Sequence, residues 1–262
     1  MAYTTIDKPD LYFNTLLYTG NGSASRAITG VGFQPDLMWF KVRNSTGTHA
    51  AFDSVRGTTG SVYRRLLPNE TNAEDTASGT VLAIGSDGFT LGNDANINEN
   101  TETYVSWNWK AGTAWSNDAS ATGIGTLDSS GSVNTDAGFS IISFTGTETS
   151  SQSVAHGLGA VPELIISKSR DVADNWMVHH GSFSENDYIS LNLTNAKASA
   201  SSVWSSLPTS TVINIGDNAG VNDNGAMIMY AFRSVQGYSK FGSYTGNGNA
   251  DGTFVYTGFK PA

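Results

Sequence analysis

The run Asp94-Ala95-Asn96-Ile97-Asn98 carries side-chain oxygens at every second residue, the spacing with which a calcium-binding loop begins. A related run, Asp217-Asn218 to Asn222-Asp223-Asn224, follows later in the chain. A calcium hand would also need Gly where this chain has Glu99 and Glu where it has Val105. Asx-rich loops are equally what tight turns demand. The reading is therefore turn chemistry and no metal, with Asp94, Asn96, Asn98, Asp217 and Asn222 as the residues of a calcium alternative.

Nucleophilic and acid–base chemistry finds little footing. The chain has no cysteine, which excludes thiolate catalysis, disulfides and Cys-ligated zinc. It has four histidines. His179 and His180 are adjacent, so on a strand they point to opposite faces and cannot share one metal ion. His49 and His156 lack a second ligand at useful spacing, and all four read as structural. Gly20-Asn21-Gly22 is a hairpin-turn signature, not a phosphate cradle. Glycoside hydrolysis needs two carboxylates facing each other across a cleft. The carboxylates here sit mostly in Asx-type turns, so a tailspike hydrolase ranks last among the functions considered. Exposed aromatics could stack on sugar rings. Among Trp107, Trp109, Trp115, Trp176 and Trp204, the best surface candidate is Trp176, beside Asp174 and Asn175. Trp107 and Trp109 share a strand face with Val105, which favours the core. No cofactor is expected, and the catalytic reading is empty: not an enzyme.

The elements that must position these residues are strands. Charged residues make up 14% of the chain, well below the usual quarter, and Gly, Ser, Thr, Asn and Asp fill the difference. That is a composition of short strands and many turns. Disorder is excluded by 12 Phe, 10 Tyr and 6 Trp. A net charge of −9 without a basic patch argues against nucleic acid. The first fifteen residues lack an apolar run, so the sequence predicts no signal peptide, and no run approaches transmembrane length.

Those strands come in repeats. Tyr18-Thr19-Gly20-Asn21-Gly22 returns as Phe144-Thr145-Gly146 and as Tyr244-Thr245-Gly246-Asn247-Gly248. A second block, Gly30 to Leu37, returns at 157–164 and 256–261. From Tyr18 to Tyr244 and from Pro35 to Pro261 the offset is the same 226 residues. The later part of the unit repeats as well: Gly92 to Asn98 matches Gly216 to Asn222, and Tyr104 to Lys110 matches Ile228 to Arg233. A period this long is domain-sized. The expected architecture is all-β: two tandem antiparallel β-sandwich domains, jelly-roll or lectin-like, made by internal duplication. The boundaries are 1–15 as an N-terminal arm, 16–112 as the first sandwich, 113–137 as a Gly/Ser/Thr linker and 138–237 as the second. Residues 238–262 start a third repeat that either closes the second domain or continues. Strands are expected at Leu37 to Val42, Glu163 to Lys168, Trp176 to His179, Tyr188 to Leu191, Gly88 to Leu91 and Tyr104 to Trp109. Asn195 to Ala200 has the composition of a short helix.

These blocks carry a resemblance. Tyr18 to Gly22, Gly32-Phe33-Gln34-Pro35-Asp36 before a Trp-containing strand, Lys41-Val42-Arg43, His49 to Gly57, Ser86 to Gly92 and Ser106 to Gly112 resemble uncharacterised tailed-phage virion proteins of marine and environmental phages. In the second copy Ala155 to Gly159 and Gly237 to Gly242 fit too, so the resemblance spans nearly the whole chain. It implies a non-enzymatic structural protein on the virion exterior, a tail fibre or a capsid decoration or fibre protein, assembled in the host bacterial cytoplasm. Other phage virion proteins are the expected partners, with no nucleic acid and no membrane. Homo-oligomers, as trimers, are expected because symmetric assembly is the rule. The alternative is a lectin-like adhesin that binds a host surface glycan. The arm would dock on the virion through Tyr3, Tyr12 and Phe13.

Overall fold

A computed structural model describes residues 4–260. The protein is all-β, and every strand ladder is antiparallel. In the first half β1 (Phe13–Thr19), β2 (Arg26–Thr29), β3 (Leu37–Val42) and β4 (Ala50–Asp53) lead to the short pair β5 (Thr58–Thr59) and β6 (Val62–Tyr63). Then come β7 (Val81–Gly85), β8 (Gly88–Leu91), the one-turn helix α1 (Ala95–Asn98) and β9 (Thr103–Trp109). The second half holds β10 (Thr113–Asn117), α2 (Ala119–Thr122), β11 (Ser129–Asn134), β12 (Phe139–Thr145), β13 (Gln152–Ala155) and β14 (Leu164–Ser169). It ends with β15 (Met177–His180), β16 (Asp187–Ser190), β17 (Ala198–Ser199), β18 (Val212–Ile215), α3 (Ala219–Asn222) and β19 (Ala226–Phe232).

Apolar residues on alternate strand positions stack the sheets in layers. A four-stranded sheet, β1-β9-β3-β4, faces the three-stranded sheet β2-β8-β7 across Met38, Phe40, Phe52, Ile28, Phe89 and Leu91. An eight-stranded sheet, β10-β11-β12-β19-β14-β15-β16-β17, faces the β13–β18 pair across Ile142, Phe144, Met229, Val154, Ile213 and Ile215. Its other face, with Ile141, Ile166, Ile228 and Tyr230, packs against Leu37, Leu66 and Trp109 of the first half. This third core makes the seam between the halves. The strand order β1-β9-β3-β4 recurs as β12-β19-β14-β15, and β2–β8 recurs as β13–β18.

The repeated Thr-Gly has a steric cause. A Cβ on Gly20 would lie 2.0 Å from the Glu99 carbonyl oxygen, and one on Gly146 would lie 2.1 Å from that of Asp223. Each glycine marks the place where the chain leaves one sheet for the other, since β1 and β2 belong to different sheets. Gly20-Asn21-Gly22 is thus a sheet-to-sheet crossing and not a two-residue hairpin.

The structure corrects three further expectations. Residues 113–137 are not a linker, because β10 and β11 form a hairpin paired onto β12. Small Ser and Gly side chains are what let β11 approach β12: a Cβ on Gly131 would lie 1.8 Å from the Ile141 carbonyl oxygen. Asn195 to Ala200 holds no helix; Ala198–Ser199 is instead the short edge strand β17. The third repeat does not close the second half. Residues 240–260 form no strand, and Tyr244, Phe254 and Tyr256 are 70%, 85% and 70% exposed.

Candidate functional site

The densest chemistry lies in the seam. Asp53 ends β4, and its Oδ1 accepts from the backbone N–H groups of Val55 (3.0 Å) and Arg56 (2.8 Å). This Asx turn swings the Arg56 side chain back over β4. There Arg56 Nε donates to Asp53 Oδ2 at 2.5 Å, Nη2 to the Ala51 carbonyl at 3.0 Å and Nη1 to Glu74 Oε2 at 3.2 Å. The side chains of Asp53 and Arg56 are fully buried. The second half completes the cluster. Arg170, just past β14, grips Glu74 with Nε and Nη2 at 2.9 and 2.8 Å, and the Tyr230 hydroxyl of β19 donates to Asp53 Oδ2 at 2.7 Å. Arg64 adds a bond from its exposed side.

Electrostatics favour one protonation state at Arg56, Glu74 and Tyr230. Burial alone would weaken the Arg56 charge, but Asp53, Tyr230 and Glu74 outweigh it and push its pKa up. Burial would raise Glu74, but the Arg170 bonds and the Arg56 charge outweigh it and hold its pKa below the usual carboxylate range. Burial drives the Tyr230 phenol well above its ordinary value, so it stays a neutral donor. Such a cluster clamps; it does not shuttle protons. Beside it lies an apolar cavity of about 270 Å³, bordered by Trp39, Trp109, Ile166, Trp176, Tyr230 and Phe232.

The sequence-predicted residues are spent elsewhere. Asp94 caps α1 by accepting from the Asn96 N–H at 2.9 Å, and it pairs with Arg65 at 3.2 Å. Asn98 donates to the Gly92 and Ser23 carbonyls and accepts from the Asn21 N–H. Asn222 does the same with Gly216, Thr149 and Thr147. Asn96 accepts from Thr48, and Asp217 lies exposed. Apart from those of Asp217, these oxygens are held by backbone or side-chain donors, and among the described residues no group of three or more His, Asp and Glu could hold a metal ion.

Trp176 is not a surface platform. It is 1% exposed, sits in the seam core, and donates its Nε1 hydrogen to the Leu67 carbonyl at 3.1 Å. Its polar neighbours misled, because they belong to the loop that carries the ring inward. Two of the three anchor residues are likewise in use. Tyr3 lies outside the described residues. Tyr12 packs edge-on to Tyr238 beside the buried Ile6, Ala137 and Val235, and Phe13 opens β1 against Trp109 with ring centroids 5.0 Å apart. At Ile6, Tyr12 and Phe13 the arm therefore packs on its own chain. On β9 both faces are covered: Tyr104, Ser106 and Asn108 are buried, and Trp109 packs into the seam.

His156 and His179 are buried in the second half. His156 Nδ1 accepts from the Leu158 N–H, which leaves Nε2 to donate to the Thr209 carbonyl. His179 packs edge-on to Trp204. Burial lowers both pKa values to about 4. Each is neutral when folded, but protonates below about 6.5 when unfolded. Their stabilisation is thus present above pH ~6.5 and lost as pH falls to ~4, on the order of 3 kcal/mol apiece. Urea midpoints measured from pH 7 to 4 should drop over this window; a flat profile would refute the assignment. Lys168, fully buried, donates to the Ser169 and Val172 carbonyls, and burial brings its pKa down to about 8. Lys41 performs the same service for Val42 and Gly47 in the first half.

The clamp escaped the sequence reading. Asp53-Ser54-Val55-Arg56-Gly57 stood out only as a block, although Asp followed by Arg three residues on, before Gly, is an Asx-turn signal. Nothing in the sequence pointed from it to Glu74, Arg170 or Tyr230.

A family model described as "Domain of unknown function (DUF7483)" matches residues 8–262. No curated protein and no solved structure matches the chain.

Proposed function

The chain belongs to this family of unknown function, and we propose that it is a non-enzymatic structural protein on the exterior of a tailed-phage virion, a tail fibre or a capsid decoration protein. In this reading two antiparallel β-sandwich units arose by duplication and were clamped into one rigid piece. The recurring strand order supports the duplication. So do Asn98 and Asn222, which make equivalent bonds at equivalent crossings. The observation that carries the structural role is the seam clamp, where the buried Asp53, Arg56 and Glu74 of the first half are joined to Arg170 and Tyr230 of the second. Placement on a virion rests on the sequence resemblance, and the trimer on symmetry alone.

Quantitative mass spectrometry of purified particles of the encoding phage tests this. A copy number matching the capsid lattice means decoration; one matching the tail symmetry means a fibre. Absence from washed particles overturns the reading. A second reading, glycan binding, is favoured by an open polar groove of about 450 Å³ beside α2, lined by Asn117, Asp118, Asp128, Ser129, Ser130 and Arg170. Its hydroxyls, amides and carboxylates suit sugar hydroxyls, and binding on a glycan array that Asn117→Ala abolishes would favour it.

A further inference from the structure

The cavity beside the clamp is walled by both halves. Trp39, Ala51 and Trp109 come from the first, and Ile166, Trp176 and Phe232 from the second. Strand register accounts for the space. Trp39 of β3 lies opposite Ala51 of β4, and the equivalent pair in the second half is Ile166 opposite Val178. The first half thus sets a single methyl where the second has a branched side chain. At about 270 Å³ the space is far larger than the water-sized voids that close-packed interiors leave. It also has an entrance: Leu191, 38% exposed, and the half-buried Trp39, Leu164 and Phe241 border both the cavity and the surface.

The wall decides what can enter. None of its side chains is charged. Four of them carry a polar atom, and three of these atoms are committed elsewhere. The Tyr230 hydroxyl donates to Asp53, Trp176 Nε1 to the Leu67 carbonyl at 3.1 Å and Trp39 Nε1 to His49 Nδ1 at 2.9 Å. Only Trp109 Nε1 has no partner among the described residues. A lone side-chain donor is too little for an ordered water, which needs several polar partners. It is also too little for a sugar, whose buried hydroxyls would each lose their hydration. Six aromatic rings border the space, and rings pack well on the faces and edges of other rings. An engineered apolar cavity of about 150 Å³ takes benzene, so this one has room for one or two rings.

We propose that the seam cavity is a binding site for a small uncharged aromatic ligand of one or two rings. Its wall is shared, so the ligand fits only when the two halves are docked, and occupancy stabilises the seam by mass action. The site is separate from the polar groove beside α2. A ligand here is independent of where the protein sits on a particle, and its absence would leave the particle count above untouched.

Urea unfolding and calorimetry of the full chain with toluene and with phenol test it. Toluene should bind saturably, one per chain, and the urea midpoint should rise with its concentration. Phenol has nearly the same size but must give up the hydration of its hydroxyl, so it should bind roughly tenfold more weakly or worse. Ala51→Leu fills the space from β4 and should weaken toluene binding by about tenfold or more. Leu164→Phe narrows the entrance from β14 and carries the same test if Ala51→Leu does not fold. A wild-type midpoint that toluene leaves unchanged overturns the proposal. So does phenol binding as tightly as toluene, or a folded, filled variant that still binds toluene as the wild type does. A wild type that binds toluene only when diluted to monomer overturns it too, because a second copy then occupies the cavity.

Discussion

Replacing Arg56 by methionine should destabilise the protein by about 3–5 kcal/mol, because removing one partner of a buried pair strands the others. Asp53 would remain buried with only Tyr230 and two backbone N–H groups, and Glu74 would lose one of its three guanidinium partners. Arg56→Lys should not rescue, since one ammonium cannot reach Asp53, Glu74 and the Ala51 carbonyl with the planar fork they require. Removing both charges, Asp53→Leu with Arg56→Met, should cost less than the two single changes added together. Glu74 gives the pH signature. Its folded pKa is depressed, so its contribution is present above the ordinary value of 4.5 and is lost as pH falls below it. Urea unfolding of the wild type and the four variants, Asp53→Leu among them, at pH 7 and pH 4 measures all of this. An Arg56→Met protein within about 1 kcal/mol of wild type would mean that the clamp does not hold the halves together.

The second large effect is at Trp176. Truncation to alanine should cost about 3–5 kcal/mol, as large-to-small changes of buried aromatics do. The site is poorly able to collapse, because a cavity of about 270 Å³ already adjoins the ring. The Leu67 carbonyl would also lose its indole donor. A surface tryptophan would change stability by at most ~0.5 kcal/mol, so one urea curve separates a seam residue from a glycan platform. Trp176→Phe should recover part of the loss by refilling the space. Cooperative unfolding of both halves together is expected in the wild type, and separation into two transitions is expected in Trp176→Ala if the seam is what couples them.

Much of the architecture was legible in one dimension. Leu37 to Val42, Gly88 to Leu91 and Tyr104 to Trp109 were recognisable as strands because period-two alternation and β-branched or aromatic content are local properties. The recurrence of Tyr-Thr-Gly was legible for a local reason too, since the Cβ exclusion at Gly20 and Gly146 allows no other residue. The segment 113–137 failed for the opposite reason. Ser and Gly are poor strand formers, and β11 becomes a strand only because β12 offers it a ladder.

What the sequence determined by itself was therefore the all-β class and the recurring blocks with their spacing. What only tertiary structure decided was which faces meet. Trp176, flanked by Asp174 and Asn175, is polar in its neighbourhood and apolar in its environment, because a second sheet closes over it. Asp53 and Glu74 gain their partners from Arg170 and Tyr230, residues up to 177 positions away. Leu17 and Ser143 occupy equivalent strand positions, yet one lies at an open edge and the other under a hairpin. Sequence encodes pattern within an element; burial and pairing depend on what the rest of the chain brings alongside it.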